Sequence, residues 1–483
     1  MAALAPFRAI VPAAAQQGGA AGCSKELGGT GWTRFRGPNG AGVATDRGYP
    51  SALGPQTLLW RRPFPTGKSS PILTASSIFL TAERDNTPIV LGLDRATGQT
   101  LWERSIETSR REPRHPLNHN AAATAVTDGE NVYAFFADYG LVSYTSAGRE
   151  RWRVPLGPFT SGWGPASSPV LVDGALVIPL DGYADSYIAA FDQRTGRQRW
   201  RADRDPLSHN YSTPILRTSR DGICEIVVLG PLKLIAYDPR DGKERWMAKV
   251  PGASIVSTPA LDNDIFVSTN YSVDSYPPFS EWLKTYDKNG DGILQEDEYG
   301  SLGPVLRQVA KNAGNRDGAI SEDEWNKAYG DLSAGVAGRP VVTALRLRAG
   351  ENGGAAATKL WEHFKNVPNV PSPLVYEGVL YLVANGVIVT TMDIETGKVA
   401  KVARIAGALG DCYASPVAAD GKLFVVSEEG KAAVLKTGAQ WDTLSVTDLA
   451  EQCYATPALA EGRVFVRTMD SMSCFSAGGA KTV

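Results

Sequence analysis

The residues best equipped for chemistry lie in one stretch, DKNGDGILQEDE at 287–298. Asp287, Asn289 and Asp291 present side-chain oxygens at alternate positions. Gly292 follows where the loop must turn sharply, the Ile293 carbonyl comes next, Gln295 stands ninth, and Glu298 closes the loop where a carboxylate can bind bidentately. Hard oxygen donors at this spacing select calcium. A second stretch, AGNRDGAISEDE at 313–324, keeps Asn315, Asp317, Gly318, Ile320 and Glu324 in register. It has Ala313 where the first carboxylate is needed, so it is expected to bind weakly or to serve as a structural partner. Ser321 and Glu324 also form a capping-box pattern.

A different chemistry is suggested by the histidines, of which the chain has four: His115, His119, His209 and His363. PLNHN at 116–120 returns as PLSHN at 206–210, and the first copy follows Arg110, Arg111 and Arg114. His119, Asn120, His209 and Asn210 with the three arginines would offer donors and positive charge to a carboxylated ligand. No close His/Asp spacing supports a metal ion shared by the histidines.

The elements that must position these residues are repeats. LDRATGQTLW (93–102), FDQRTGRQRW (191–200) and YDPRDGKERW (237–246) are one motif, with weaker copies at 145–152 and 392–401. The Asp closes a turn, the Gly supplies positive φ, and the Trp lies on the following strand. Trp102, Trp152, Trp200 and Trp246 are 50, 48 and 46 residues apart, and removing an insert at 271–337 restores a spacing of 48 to Trp361. A small residue, Ser/Thr and Pro open each unit: Ser70, Ser168, Thr213, Thr258, Ser372, Ser415 and Thr456 precede the prolines, and the unit with Ala123-Thr124 lacks one. Eight openings, each followed by strand-and-turn patterns, give eight four-stranded units. The last unit ends after three strands, and TLLW at 57–60 supplies an orphan fourth, so an all-β, eight-bladed propeller closed by joining the chain ends is expected.

The opening WTRFRGPNGAGV, the turn-and-Trp motif and WGPASSP resemble the bacterial PQQ-like β-propeller repeat proteins. These include quinoprotein alcohol dehydrogenases and the propeller lipoprotein of the outer-membrane barrel-assembly machine. The resemblance covers about residues 31–477 apart from the insert, which is itself similar to a pair of EF-hands in a small α-helical module. It implies blades over 31–270 and 338–477, calcium in the insert and, on the dehydrogenase side, PQQ held by the Arg/His cluster with Asp411 as a base. The adjacent Cys-Cys pair of those dehydrogenases and a CxxCH haem motif are both absent from the sequence.

In a four-stranded meander the links between units lie on the same face as the loop between second and third strands. The insert leaves after a second strand, so it and the four histidines share that face. In four of the units the fourth residue before the opening Pro, or its aligned counterpart, is Asn120, Asn210, Cys412 or Cys453, which places these residues at the channel mouth. The insert carries twelve Asp/Glu against six Lys/Arg, a net −6, leaving +4 on the remainder of a chain whose total is −2. An acidic module overhanging a basic mouth is the expected arrangement.

The near-neutral total gives no general electrostatic case for nucleic acid. No run of eighteen apolar residues exists to form a transmembrane helix. Residues 1–30 are expected to be an export signal and linker, or a disordered tail, with AAGC offering Cys23 as a possible lipoprotein cysteine. Cys412 and Cys453 are expected to be buried free thiols, with a disulfide between them, which export to the periplasm or cell envelope would permit, as the lesser alternative. The expected function is an exported calcium-binding propeller holding an anionic small molecule or envelope protein at its mouth. A PQQ-dependent oxidoreductase and an assembly scaffold are the alternatives.

Overall fold

Each turn-and-tryptophan unit forms a four-stranded antiparallel meander in chain order, and eight such sheets stand as blades around a central channel. The computed structural model describes residues 23, 31–159, 161, 163–182, 185–204, 209–219, 222–252, 254–271, 278–300, 306, 310, 315, 317–326, 339–349 and 355–479. The inner strands of blades 1 to 8 are Ile72–Leu73, Val126–Thr127, Val170–Val172, Ile215–Thr218, Ala260–Asp262, Leu374–Tyr376, Val417–Ala419 and Ala458–Ala460. Blade 8 takes its fourth strand from the other end of the chain. Leu58–Pro63 pairs antiparallel with Ser471–Ser476, beside Arg463–Arg467, so the ring closes as the orphan strand required.

The repeated turn motif holds neighbouring blades together. In blade 1 the Asp94 carboxylate accepts the Thr97 backbone N–H (2.8 Å) and hydroxyl (2.7 Å), and Asp192 and Asp393 do the same with Thr195 and Thr396. Four of the five motif tryptophans then lie on the glycine of the following blade's turn and donate the indole N–H to a carbonyl there, whereas Trp246 donates to the Glu225 carboxylate of its own blade (3.0 Å). Trp102 reaches Ser146 (2.8 Å), Trp152 reaches Gln193 (3.2 Å), Trp200 reaches Pro239 (2.8 Å) and Trp361 reaches Ile394 (2.9 Å). A Cβ on Gly98, which has φ +71°, would lie 2.6 Å from the Trp60 ring. The glycine therefore serves close approach as well as positive φ, and Trp60 of TLLW extends the same packing across the ring closure.

The insert separates the second strand of blade 5, Ile265–Asn270, from its third, Val341–Ala349. Helix α1 (Phe279–Tyr286) begins it, with the apolar spacing of FSEWLKTY turned onto a small core of its own. Phe279 and Trp282 meet Trp325 at 5.8 and 5.4 Å between ring centroids, and Leu294, Tyr299 and Ile320 are buried beside them. Leu232, in the turn between the second and third strands of blade 4, packs against this cluster. The insert thus sits on the face that the strand count assigned to it.

Cys23 forms a disulfide with Cys224, with Cα atoms 4.9 Å apart. A sulfur bonded in this way cannot also carry a thioether-linked lipid, so the lipoprotein expectation for Cys23 is corrected. Cys412 and Cys453 are both free and buried, the favoured of the two expectations, and the bridge between them is not formed. They point into different cores, Cys412 between blades 6 and 7 and Cys453 among blades 7, 8 and 1. Burial pushes both thiols up to about 12.

Candidate functional site

The opening Ser/Thr of every blade belongs to a closed circle of hydrogen bonds. The backbone N–H of each donates to the hydroxyl of the next: Ser70 to Thr124 (2.9 Å), Thr124 to Ser168 (3.0 Å), Ser168 to Thr213 (3.2 Å) and Thr213 to Thr258 (3.3 Å). It continues from Thr258 to Ser372, Ser372 to Ser415, Ser415 to Thr456 and Thr456 to Ser70, each 3.0 Å. The prolines that follow seven of them have no N–H of their own to place.

Above this circle lies a cavity of about 480 Å³. Its lining follows from the alternation of extended chain, in which residues two apart share a face. Seven of the eight circle residues line it, and so does the residue two before each circle member: Lys68, Ala122, Ala166, Tyr211, Val256, Val370, Tyr413 and Tyr454. This second ring is asymmetric. Tyr413, Tyr454 and Lys68 are contributed by the consecutive blades 7, 8 and 1, and the alanines by blades 2 and 3. Tyr413 and Tyr454 have centroids 5.1 Å apart, and the Lys68 Nζ lies 3.5 Å over the Tyr454 ring while donating to the Leu117 carbonyl (2.8 Å). Burial lowers the Lys68 pKa, opposed by Glu428. Trp163, stacked on His115 at 3.7 Å, and Tyr271, where blade 5 leads toward the insert, complete the rim.

Phe35 also lines the cavity, and the segment around it closes the channel. Trp32 and Thr33 carbonyls accept Leu73 and Thr127 N–H groups, Arg34 donates to the Pro214 carbonyl, and Arg36 donates to that of Pro373 (2.8 Å). Gly42 and Ala44 pair with Ala418. WTRFRGPNGAGV therefore reaches blades 1, 2, 4, 6 and 7, so the cavity is blind. Burial brings Arg34 down to about 10 and Arg36 to about 9.

The residues singled out from sequence on this face do not line the cavity. Arg110 is bound to Glu112 (2.9 Å) and to the carbonyls of Ala137 (3.0 Å) and Leu156. Arg114 makes two bonds to Asp138 (2.9 and 2.8 Å), with Arg111 4.0 Å from the same carboxylate. The expected basic patch is thus taken up by Glu112 of its own link and by Asp138, in the turn between the second and third strands of blade 2. His119 Nδ1 accepts the Ala121 N–H (3.1 Å), and burial together with Arg467, Lys68 and Arg114 lowers its pKa to about 4. Glu83, 4.0 Å from Nε2, does not offset those cations.

Asn120 accepts the Asp138 N–H (3.4 Å), whereas Asn210 donates to Asp181 (2.8 Å) and accepts the Ser212 N–H (2.9 Å). Thr124 takes the hydroxyl place, so Asn120 stands four residues before its circle member and Asn210 three. The two pentapeptides are therefore out of register, and the odd offset turns Asn210, Cys412 and Cys453 away from the channel. The His209 backbone pairs in parallel with Ser254, and its side chain lies outside the described residues, as do residues 206–208. Asp411 is exposed and off the cavity lining.

In the insert, Asp287 accepts the N–H groups of Gly290 (2.7 Å) and Gly292 (3.0 Å), and Asp291 accepts that of Ile293 (2.9 Å). Buried Glu298 accepts those of Lys288, Asn289 and Gln295 (2.8, 3.3 and 3.1 Å). The second loop repeats the pattern: Glu324 accepts from Asn315 (2.9 Å) and Ser321 (3.0 Å), and Asp317 from Ala319 (2.8 Å). Leu294 and Ile320 join the loops through two backbone bonds, 3.0 and 2.9 Å. Ala313 lies outside the described residues. Among the described residues no three His, Cys, Asp or Glu side chains converge as a metal-holding group.

The cavity residues were missed because the Ser/Thr marker was treated as punctuation. The signal that finds them is the recurrence of a hydroxyl, rather than any small residue, in all eight units, together with the residue two positions before it.

A family model described as outer membrane protein assembly factor BamB matches residues 86–275, less than half of the chain. No curated protein matches the sequence. Among solved structures, BamB from Moraxella catarrhalis is 11% identical with a TM-score of 0.56, over 88% of this chain and 99% of that one. The quinohemoprotein alcohol dehydrogenase of Comamonas testosteroni is 11% identical at 0.58, over 94% and 81%. One from Pseudomonas putida HK5 is 11% identical at 0.57, over 94% and 81%. At these identities the likeness shows the propeller fold alone.

Proposed function

We propose that this protein is an exported binding propeller that holds a small organic ligand in its blind central cavity without redox chemistry, and that its insert is an EF-hand pair holding calcium in the first loop. The observation that carries the reading is the cavity itself: enclosed below by Phe35, ringed by hydroxyls and walled by aromatic side chains. Export is supported by the Cys23–Cys224 disulfide, which an oxidising compartment sustains. Calcium is supported by the all-oxygen donor set of Asp287, Asn289, Asp291, the Ile293 carbonyl and Glu298, with the loop already wound by those side chains. Asn315, Asp317 and Glu324 form the weaker second loop.

PQQ does not fit this cavity. Its three carboxylates would meet a single cation, Lys68, and no carboxylate base or metal-holding group lines the described walls.

Filling the cavity with Ala166→Trp should abolish small-molecule binding, read by calorimetry, while leaving the urea midpoint within experimental error. Quinone-dependent alcohol oxidation after reconstitution with PQQ and calcium would overturn the non-redox reading. A scaffold role toward envelope proteins is a second reading. It is favoured by the family-model match and by Val402 and Leu444, exposed on the outer strands of blades 6 and 7. Recovery of one outer-membrane partner from envelope extracts, lost in a Val402→Glu, Leu444→Glu variant, would support it.

A further inference from the structure

We propose that the cavity recognises a sugar acid: a polyhydroxylated ring bearing one carboxylate. The inference rests on the cavity-binding reading above and names its ligand class. It begins with a count of donors. Every hydroxyl of the circle accepts a backbone N–H, yet among the described residues none of the eight donates its own proton to a protein acceptor. All eight residues are buried, and seven line the cavity. Buried donors need acceptors, so the occupant must present many oxygens. The Asn369 amide, also on the lining, makes no hydrogen bond among the described residues and adds both a donor and an acceptor. A purely aromatic occupant would leave these donors unmatched.

The second ring supplies the remainder. Tyr413, Tyr454 and Trp163 offer ring faces against which the C–H face of a sugar packs. Ala122 and Ala166, on blades 2 and 3, leave the space in which its ring can sit. Lys68 is the one charged side chain on the described lining. One of its protons goes to the Leu117 carbonyl, and Glu428, which accepts the Tyr454 hydroxyl (2.5 Å), is the carboxylate that acts on its charge. The remaining ammonium protons suit a single ligand carboxylate, which a half-desolvated site strengthens. The circle is nearly the same in every blade, so selectivity resides in the uneven second ring.

Calorimetric titration of the calcium-loaded protein with glucuronate, glucose and benzoate tests this. Glucuronate should bind at least tenfold more tightly than glucose, and benzoate more weakly than either. Lys68→Met should reduce glucuronate to the level of glucose while leaving glucose unchanged, and Lys68→Arg should restore part of the difference. Asn369→Ala should weaken both sugars and not benzoate. Benzoate binding at or above glucuronate, or a Lys68→Met variant with the full glucuronate preference, overturns the sugar-acid proposal. Either result leaves the cavity reading intact if Ala166→Trp still removes the binding. Glucuronate binding that Ala166→Trp does not touch overturns both.

Discussion

At the scale of single residues, the same few atoms carry both the turn and the contact between blades. A Cβ at Gly242 would strike the Trp200 ring, and the residue has φ +73°. Gly242→Ala is therefore expected to cost about 1–3 kcal/mol in urea unfolding. Trp200→Phe, which keeps an aromatic ring but loses the pyrrole half of the indole and its bond to Pro239, should cost about 1–3 kcal/mol. His119 gives a pH dependence of definite sign. Its folded pKa of about 4 is below the 6.5 of a free histidine, so the unfolded chain takes up the proton first as pH falls. Stability is complete above pH 6.5 and is lost between 6.5 and 4, by up to about 3 kcal/mol. In His119→Asn, whose amide oxygen can still accept the Ala121 N–H, that part of the slope should disappear. Parallel urea midpoints for both proteins across this range would refute the assignment.

At the scale of elements, the insert is a module with its own core, attached at the cavity rim through the chain after Tyr271 and against blade 4 through Leu232. Its loops are wound by carboxylate-to-backbone bonds, which a cation would reinforce by neutralising the carboxylates that make them. With a Kd of about 10⁻⁴ M, calcium at one hundred times that concentration should stabilise the insert by about 2.7 kcal/mol. Glu298→Gln should remove most of this gain and most of the heat of calcium titration. Ser321→Ala, confined to the second loop, should leave the first-loop heat unchanged. Equal calcium heats in wild type and Glu298→Gln would show that the first loop is not the site.

At the scale of the whole molecule, three devices close the ring: the exchanged strand Leu58–Pro63, Trp60 on Gly98, and the Thr456-to-Ser70 bond that completes the hydroxyl circle. The Cys23–Cys224 disulfide pins the chain ahead of the propeller to the second strand of blade 4. Thiol titration in denaturant without reductant should count three reactive cysteines, Cys412, Cys453 and Cys474, and five after reduction. Five before reduction would remove the disulfide.

The architecture was legible in the chain because it rests on local, repeated chemistry: an Asp/Thr turn, a glycine, a tryptophan every 46 to 50 residues, and an orphan strand at one end matching a short unit at the other. The oxygen pattern of 287–298 was legible for the same reason, since its spacing lies within one turn of chain. The site was legible only in part. Sequence grouped Arg110, Arg111, Arg114, His119 and Asn210 as one cluster, but charge along a link does not reveal that Glu112, Asp138 and Asp181 consume it. Which residues of a link face the channel depends on a one-residue register, and that register is set where eight strands meet. Only the closed ring gathers hydroxyls some forty residues or more apart into one circle, sets Lys68 above Tyr454 across the junction of blades 1 and 8, and lays Phe35 beneath them. Those contacts join distant parts of the chain, so their geometry is fixed by closure rather than by local pattern.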